Sequence, residues 1–382
     1  CEAADLPTEV LDGDEARTRD PTLAGDVESA IAVPDGVVDP VRLCLANARA
    51  AADYGATIRT NAEVVDVLVS DGAVSGARIR AGDLYEPYTP SDVETVDADY
   101  VVNAAGSHVG RIAAMADLEV PVRHTRGAML SVDLPDQETV VNRCRPRTEG
   151  DIAVPFGAAS ILGTTDRDVE GPDGIPGNAA EVDTLVEELS PVVPAVAGAR
   201  PLRAYWGVRA LVDESAEDST DVSREFTVVD HEARDGRWGM ASVVGGKLTT
   251  HRLVAERVAD HVCGAFGITR ECLTAEEPLP GAGTDGMHGA MGPVGQVVHA
   301  PQEREMAGVG PADRSTRSPK PVVCECESVT STELDDQAGV PGVEMTPDLH
   351  AVRGATHASL GACQGGRCAH RLANWLHPEY EE

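Results

Sequence analysis

Lysine is nearly absent from this 382-residue chain: it occurs only at Lys247 and Lys320, and arginine supplies the rest of the 31 basic residues. The 64 acidic residues leave a formal net charge of -33. A field of that sign repels nucleic acid and anionic membrane surfaces, so we expect no nucleic-acid partner. An acidic, lysine-poor surface stays hydrated in concentrated salt, where its self-repulsion is screened. We therefore predict a halophilic protein, with an ordinary acidic cytosolic protein as the alternative.

Long apolar runs are missing too. No apolar segment approaches the roughly 20 residues needed to cross a bilayer. The opening residues CEAADLPTEV have neither the basic nor the apolar region of an export signal, and they lack an initiator Met. We therefore expect a piece of a longer chain without a transmembrane segment. Disorder is disfavoured, because hydrophobic residues make up 42% of the sequence.

The cysteines do not suggest a disulfide framework, because nine is an odd number and no export signal precedes them. Four of them form two close pairs, Cys324-Glu-Cys326 and Cys363-Gln-Gly-Gly-Arg-Cys368. Two such pairs can enclose a metal centre with four thiolates. Zinc ribbons favour C-x2-C at both ends, so this spacing favours an iron–sulfur site. Zinc and unligated cysteines remain alternatives.

Periodicity predicts alternating helices and strands in the first third of the chain. Residues 41–55 have helical spacing and stop at Gly55. The β-branched runs that follow are separated by Ser70-Asp71-Gly72, which predicts a hairpin. Residues 99–106 predict a short buried strand ending at a glycine, with a helix after it. A ligand in such an α/β arrangement sits at the carboxyl end of the strand.

The middle of the chain is richer in strand-like segments and turns. Residues 120–230, interrupted by a helix-like stretch at 179–193, predict a mixed, mostly antiparallel sheet that caps a cofactor domain. Residues 243–266 predict a strand, a glycine turn and an amphipathic helix. From about 275 to 320, glycine, proline and polar residues without a period indicate a linker. A compact module follows at 321–382.

The turn Gly245-Gly246-Lys247-Leu248-Thr249-Thr250 is a candidate anion-binding site. Its glycines let a ligand approach the backbone, and the helix start offers N–H groups and a positive dipole end. Lysine has been almost eliminated elsewhere, so Lys247 suggests a task that arginine cannot perform. The alternative is a plain helix start with a solvated lysine.

A second candidate lies in the segment Pro201–Leu211, which reads as a strand. Strict alternation places Arg203, Tyr205, Gly207 and Arg209 on one face. Guanidinium groups bind phosphate or carboxylate bidentately, so the two arginines make a plausible anion clamp. The alternative is a surface strand whose arginines pair with nearby acids.

Taken in order, these blocks resemble the A subunits of anaerobic, respiratory glycerol-3-phosphate dehydrogenase. The resemblance covers nearly the whole chain, and its last block is similar to the bacterioferritin-associated-ferredoxin type of [2Fe–2S] domain. The family also carries an N-terminal strand–loop–helix unit with a glycine fingerprint, and we expect this chain to start after it. The matching blocks are VPDGVVDPVRLCLANARAA (33–51), VVNAAG (101–106), VNRCRPRTEGDIAVP (141–155), ILGTTD (161–166), RAYWGVRALV (203–212), VVGGKLTTHRL (243–253), VCECE (323–327) and GACQGGRC (361–368).

The resemblance implies an α/β fold: an incomplete glutathione-reductase-like FAD domain, an antiparallel-sheet substrate cap and a small helical [2Fe–2S] domain. The implied division is a partial FAD-binding domain at 1–119, the cap at 120–225, the final strand and helix of the FAD domain at 226–274, the linker at 275–320 and the [2Fe–2S] domain at 321–382.

The resemblance also implies the site residues. Lys247 would lie near the reacting centre, and Arg209, with Arg203, would bind the substrate. His251 and His108 are candidates for the base by their proximity to these motifs. The implied FAD contacts are Val64, Asn103, Ala105, Gly106, Gly245, Gly246, Lys247, Leu248 and Thr249. The implied cluster ligands are Cys324, Cys326, Cys363 and Cys368.

The implied reaction is oxidation of sn-glycerol 3-phosphate to dihydroxyacetone phosphate by hydride transfer to FAD. Electrons would pass through iron–sulfur centres, with subunits B and C as partners, to a membrane quinone. The chain would be cytoplasmic and peripheral at the inner face of the cell membrane. The alternatives are an FAD-dependent amino-acid or 2-hydroxy-acid dehydrogenase of the same fold, and a non-catalytic iron–sulfur electron-transfer fragment.

Overall fold

The computed structural model describes residues 7–60, 62–81, 93–145, 149–156, 159–173, 177–212 and 226–280, with isolated positions between 322 and 375. The helices are α1 Gly13–Arg19, α2 Pro40–Asp53, α3 Val109–Ala114, α4 Ala179–Leu189, α5 His231–Asp235 and α6 His251–Ala265. The strands are β1 Glu9–Asp12, β2 Ser29–Ala32, β3 Ile58–Arg59, β4 Ala62–Ser70, β5 Ala73–Ala81, β6 Val93–Asp97, β7 Val101–Asn103, β8 Val122–Asp133, β9 Val141–Asn142, β10 Ile152–Phe156, β11 Ala159–Gly163, β12 Arg167–Val169, β13 Arg200–Val212, β14 Phe226–Asp230, β15 Met240–Gly245, β16 Val322–Cys324, β17 Val329–Thr330 and β18 Val343–Glu344.

The first sheet brings together strands that are far apart in the sequence. β14 pairs antiparallel with β15, and β15 pairs parallel with β7, so the order is β14-β15-β7. Helix α3 and strand β4 pack beside it over one apolar core. Val109 and Met240 are both 0% exposed in that core. Two parallel strands therefore end at one edge of the sheet, where the sequence predicts a ligand.

The second sheet is antiparallel throughout and is built on the long strand β8. β13 pairs along one side of β8, while β11 and β12 pair along the other, and β10 and β9 extend the sheet beyond β11. Helix α4 covers one face, where Leu185 and Leu189 are both 0% exposed against Leu130 and Leu162. The other face, which carries Arg209, is the one left for a ligand.

The helix and hairpin predictions for the first third of the chain agree with the structure, whereas the predicted buried strand is shorter and ends at Asn103, with Val102 41% exposed. Helix α2 ends before Gly55, whose φ of 90° is one that glycine adopts without strain. The hairpin β4–β5 turns at Asp71 and Gly72, with φ of 51° and 83°, as a two-residue turn with two positive φ angles requires. The unit β1–α1–β2 was not predicted. Its helix is fixed by a capping box between Asp12 and Glu15.

The C-terminal segment contributes a third, small core. Val323, Cys324, Val329, Leu334, Ala358, Cys368 and Leu372 are its buried members. Strand β16 pairs with β17, and β18 pairs parallel with β3. Residues 281–320 of the predicted linker lie outside the described residues, and the domain division stays a prediction. Among the described helices, none has the length and apolar character needed to cross a bilayer.

Candidate functional site

The site forms at the edge where β7 ends and β15 continues for three more residues. Asn103 and Ser242 are direct partners in the parallel pairing, so the turn after each strand leaves from the same edge. At the end of β15, Gly245 and Gly246 have φ angles of 80° and 88°. Glycine adopts such angles without the steric cost that a Cβ brings, which explains the glycine pair in physical terms.

The glycine turn leads directly into a helix. The Lys247 N–H donates to Thr250 Oγ1 at 2.9 Å, and the Thr250 hydroxyl lies 3.0 Å from the Lys247 carbonyl oxygen. This reciprocal bond holds the short 3₁₀ turn from which the 15-residue helix α6 starts. Lys247, Leu248 and Thr249 are all exposed. A lysine ammonium beside the positive end of a helix dipole is suited to an anion.

The other turn, after β7, carries the residues predicted to contact FAD. Asn103 is only 3% exposed, so its side chain faces the protein interior. Its Nδ2 donates to the Val109 carbonyl at 2.9 Å and to Ser242 Oγ at 3.1 Å. Its Oδ1 lies 3.4 Å from the Ala105 nitrogen. Asn103 thus shapes the turn, while Ala105 and Gly106 are the exposed residues on it.

The bonds of Asn103 continue into a buried chain that the sequence did not reveal. Ser242 Oγ lies 2.8 Å from His231 Nε2, and His231 Nδ1 lies 2.7 Å from Asp235 Oδ2. Ser242 and His231 are both 0% exposed. A carboxylate only accepts, so Nδ1 carries the ring proton and, in the neutral ring, the Ser242 hydroxyl donates to Nε2. Although the residue types match a hydrolase triad, the burial assigns them a structural role.

The turn after β7 is bonded to the antiparallel sheet. His124 on β8 donates from Nε2 to the Ser107 carbonyl at 2.7 Å. His108 Nε2 lies 3.0 Å from Asp173 Oδ1, and Arg111 lies 3.5 Å from Asp173 Oδ2. The 3₁₀ turn Gly106–His108 also contacts β13. The arginine-bearing strand is therefore next to the ligand edge of the first sheet.

Arg209 rests on the loop that follows β11. Its Nη2 donates to Thr164 Oγ1 at 2.8 Å, and its two terminal nitrogens lie 3.4 and 3.3 Å from the Thr165 carbonyl oxygen. Asp166 Oδ1 is 3.3 Å from Nη1, and 28% of the arginine side chain is exposed. The guanidinium therefore contacts two neutral oxygens and one carboxylate of this loop, and the pairing with Asp166 agrees with the alternative of an arginine paired to a nearby acid.

Arg203 lies on the same face of β13 as Arg209, but far from it along the strand. The two are six residues apart on an extended strand, which corresponds to about 20 Å. That distance exceeds the reach of two arginine side chains, so the predicted two-arginine clamp on one phosphate does not form. Between them lies Tyr205, whose pKa is raised by burial, against the lowering effect of the Arg203 charge. Anion binding by either arginine stays a prediction.

The two candidate bases differ in their surroundings. His251 Nδ1 lies 2.7 Å from the Leu248 carbonyl oxygen, which only accepts, so Nδ1 carries a proton and Nε2 offers the lone pair. His108 has Asp173 at Nε2 and Ser107 Oγ 3.4 Å from Nδ1. Of these two histidines, only His251 has a ring nitrogen without a hydrogen-bond partner among the residues that the structure describes.

Two further predictions concern Val64 and the cysteines. Val64 is partly buried on β4 and packs against the first apolar core. Cys324 is 0% and Cys368 1% exposed, and both belong to the C-terminal core. The structure thus brings together one cysteine from each close pair. Cys326 and Cys363 lie outside the described residues.

Comparisons with known proteins decide the family. The model of the FAD dependent oxidoreductase family matches residues 1–252. Over its whole length, this chain is 46% identical to the A1 subunit of the anaerobic glycerol-3-phosphate dehydrogenase of Haloferax volcanii. The alignment covers 66% of that protein. The chain is 36% identical over 98% of its length to the A subunit of the anaerobic glycerol-3-phosphate dehydrogenase of Escherichia coli K12, and covers 69% of it. The chain belongs to this family of A subunits.

Membership of the A-subunit family confirms the predicted resemblance and the class of FAD-dependent oxidoreductase. The chain spans about two thirds of the length of these relatives. A glycerol-3-phosphate dehydrogenase from Bacillus halodurans complexed with FAD superposes with a TM-score of 0.54 at 22% identity, over 71% of this chain and 54% of that one. That likeness confirms the α/β fold with mixed sheets. The predicted helical [2Fe–2S] domain falls largely on residues outside the described ones and stays a prediction.

Proposed function

We propose that the chain oxidises sn-glycerol 3-phosphate to dihydroxyacetone phosphate, with FAD as the hydride acceptor. The observation that carries the proposal is the setting of Arg209. Its guanidinium is held by Thr164 Oγ1 and the Thr165 carbonyl, with 28% of the side chain exposed. Planar guanidinium groups recognise phosphate through paired hydrogen bonds.

The two turns at the ligand edge fit a flavin. Gly245 and Gly246 expose backbone at positive φ, and α6 begins immediately afterwards. A helix start favours the negative charge that a reduced flavin carries near N1 and O2. We assign the contacts to Gly245, Gly246 and Lys247 in one turn and to Ala105 and Gly106 in the other. When bound, FAD supplies the acceptor for the substrate hydride.

The chain's own residues divide the remaining work. Arg209 binds and orients the phosphate, which positions the secondary hydroxyl. The Lys247 ammonium favours the negative charge that develops as that hydroxyl loses its proton. His251 takes the proton at Nε2, because its other ring nitrogen is fixed by the Leu248 carbonyl.

We further propose that Cys324, Cys326, Cys363 and Cys368 hold a [2Fe–2S] cluster. The burial of Cys324 and Cys368 in one apolar core supports this assignment. Electrons would leave through the cluster and through subunits B and C to a membrane quinone, at the inner face of the cell membrane. The net charge of -33 supports operation in concentrated salt.

The second candidate is oxidation of an amino acid or 2-hydroxy acid. A single guanidinium also binds carboxylate bidentately, so Arg209 alone does not separate a phosphate from a carboxylate. A non-catalytic electron-transfer fragment is the third candidate. The substrate that reduces the flavin distinguishes all three.

The test is an anaerobic absorbance and EPR spectrum of the full-length gene product in high salt, before and after addition of glycerol 3-phosphate. Bleaching of the flavin together with a reduced [2Fe–2S] signal is the expected result. Bleaching only by an amino or 2-hydroxy acid transfers the substrate assignment to the second candidate. A protein with the cluster signal but without flavin leaves the electron-transfer fragment.

The cluster assignment has a separate test. Cys324→Ser or Cys368→Ser should lower the iron bound per protein and abolish the EPR signal, while Cys44→Ser, an exposed cysteine on α2, should change neither. Zinc in place of iron, or iron content unchanged in the variants, would contradict the assignment.

A further inference from the structure

The loop that contacts Arg209 is hydrogen-bonded to a buried acid on helix α4, Glu181. Glu181 lies in the first turn of α4, and only 3% of its side chain is exposed. Its Oε2 accepts from Arg126 Nη2 at 2.6 Å, and its Oε1 accepts from the Thr165 hydroxyl at 2.9 Å. The Glu181 carboxylate thus uses one oxygen for the ion pair with Arg126 and the other for a hydrogen bond to the loop residue Thr165.

Thr165 transmits the position of Glu181 to Arg209. Its Oγ1 donates to Glu181, because a carboxylate only accepts, and it accepts the Ala128 N–H at 2.8 Å. Its carbonyl oxygen lies 3.4 and 3.3 Å from the two terminal nitrogens of Arg209. The Thr165 hydroxyl therefore contacts Glu181, while the Thr165 carbonyl oxygen contacts Arg209.

The strand register explains why the two arginines serve different faces. Arg209 pairs with Thr125 on β8, whereas Arg126, the next residue, pairs with Val208. Neighbouring residues on a strand point to opposite faces, so Arg209 faces the ligand side and Arg126 faces α4. Thr165 lies between β11 and β12, is hydrogen-bonded to Ala128 of β8, and contacts both Glu181 and Arg209.

A buried ion pair is weak evidence for stability, because desolvation offsets most of the attraction. Leu185 and Leu189 follow Glu181 at four-residue spacing on the buried stripe of α4, where a leucine would fit the pattern. An acid at that position therefore points to a task other than packing. The contact it makes towards the site is the Thr165 hydroxyl.

We propose that Glu181, paired with Arg126, is a positioning residue that fixes Arg209 through Thr165 for binding the phosphate of the substrate. The proposal rests on the function proposed above. Loss of the Glu181 charge removes its ion pair with Arg126 and weakens its hydrogen bond to the Thr165 hydroxyl, which frees the Thr165 loop to shift. The Arg209 guanidinium then presents its hydrogen bonds to the phosphate in the wrong orientation.

The test compares Glu181→Gln and Glu181→Ala with Glu188→Gln in the flavin-loaded, full-length gene product. Glu188 is the matched control, because it lies on the same helix and pairs with Arg143 and Arg145. The measurements are KM and kcat for glycerol 3-phosphate with an artificial electron acceptor, the Kd of inorganic phosphate as a competitor, and the melting temperature.

In Glu181→Gln we expect KM and the phosphate Kd to rise about tenfold while kcat changes much less, with a larger rise in Glu181→Ala. Glu188→Gln should leave KM and the phosphate Kd unchanged, even where its melting temperature falls. Wild-type affinity in both Glu181 variants would overturn the proposal, and so would an equal loss of affinity in Glu188→Gln. A wild-type protein that does not turn over glycerol 3-phosphate would instead refute the proposed function.

Discussion

The Arg209 guanidinium lies where a side chain at Gly127 would be: a Cβ built on Gly127 would lie 2.1 Å from Arg209 Nη2 and 2.6 Å from its Cζ. Gly127 sits on β8 opposite Gly207 of β13, in the face that carries Arg209. The guanidinium therefore lies over the backbone of the neighbouring strand, in room that only a glycine leaves. The position of the Arg209 guanidinium, the proposed phosphate-binding group, is set by the absence of a side chain at Gly127 as much as by its hydrogen bonds.

Gly127→Ala should displace the Arg209 guanidinium and weaken glycerol 3-phosphate binding by about tenfold or more, equivalent to about 1.4 kcal/mol. The dissociation constant, measured by perturbation of the flavin absorbance, checks this. Gly198→Ala, where a Cβ would meet nothing within 4 Å, is the control within the same sheet domain. Equal binding by Gly127→Ala and wild type would show that Arg209 does not need this room.

Lys247 is expected to act on the chemical step. Lys247→Gln should slow flavin reduction by glycerol 3-phosphate by about 10²–10³-fold, because an electrostatic donor at the developing charge is lost. Lys247→Arg should restore little, since a planar guanidinium does not replace a compact ammonium. Stopped-flow reduction rates check both, with Lys320→Gln as the control at the other lysine. Full activity in Lys247→Arg would refute this role.

The buried chain from Asn103 to Asp235 should contribute stability. His231→Ala leaves the Ser242 hydroxyl without the acceptor for its proton and should lower the free energy of unfolding by about 2–3 kcal/mol. The same substitution in a Ser242→Ala background should cost about 1 kcal/mol less, because the two residues interact directly. Urea unfolding of the four proteins checks this. Strictly additive effects would mean that the hydrogen bond contributes nothing.

Asp235 should make stability depend on pH. The Arg234 guanidinium, with His231, lowers the pKa of the Asp235 carboxyl. A lowered folded pKa stabilises the fold above the unfolded value of about 4, and this contribution is lost as pH falls through the folded pKa. Asp235→Asn should therefore destabilise the protein at about pH 7 and by less at about pH 3, which lies below the unfolded pKa.

Urea unfolding of Asp235→Asn at both pH values, in the same salt concentration, measures that difference. Glu232→Gln is the control, because Glu232 is an exposed acid on the same helix. A difference from wild type that does not shrink as pH falls would contradict the ionised pairing of Asp235.

The sequence pattern predicted those elements whose structure depends on residues that are neighbours along the chain. The spacing of apolar residues predicted α2 and α6, and the turn chemistry of Asp71-Gly72 predicted the hairpin. The pair Gly245-Gly246 was predicted as a turn because few other residues adopt its backbone angles. The face of β13 that carries Arg209 followed from alternation alone.

The hydrogen-bond and ion-pair partners of the site residues could not be predicted from the spacing of residues along the chain. Glu181 and Arg126 are 55 positions apart, and Asn103 and Ser242 are 139 apart. Which of the many acids meets which arginine depends on strand register, and no local signal encodes it. Arg203 was grouped with Arg209 because alternation gives the face but not the distance along it. Thr164 and Thr165 were visible only as part of the ILGTTD block.

The central claim is that Arg209 binds the phosphate of a substrate that reduces the flavin. The most direct measurement is an anaerobic titration of the flavin absorbance with glycerol 3-phosphate in the wild type and in Arg209→Met. We predict bleaching in the wild type and a requirement for about 100-fold more substrate in the variant, because a charged hydrogen-bonding partner is lost. Identical titrations of the two proteins, or a wild-type flavin that glycerol 3-phosphate does not reduce, would contradict the account.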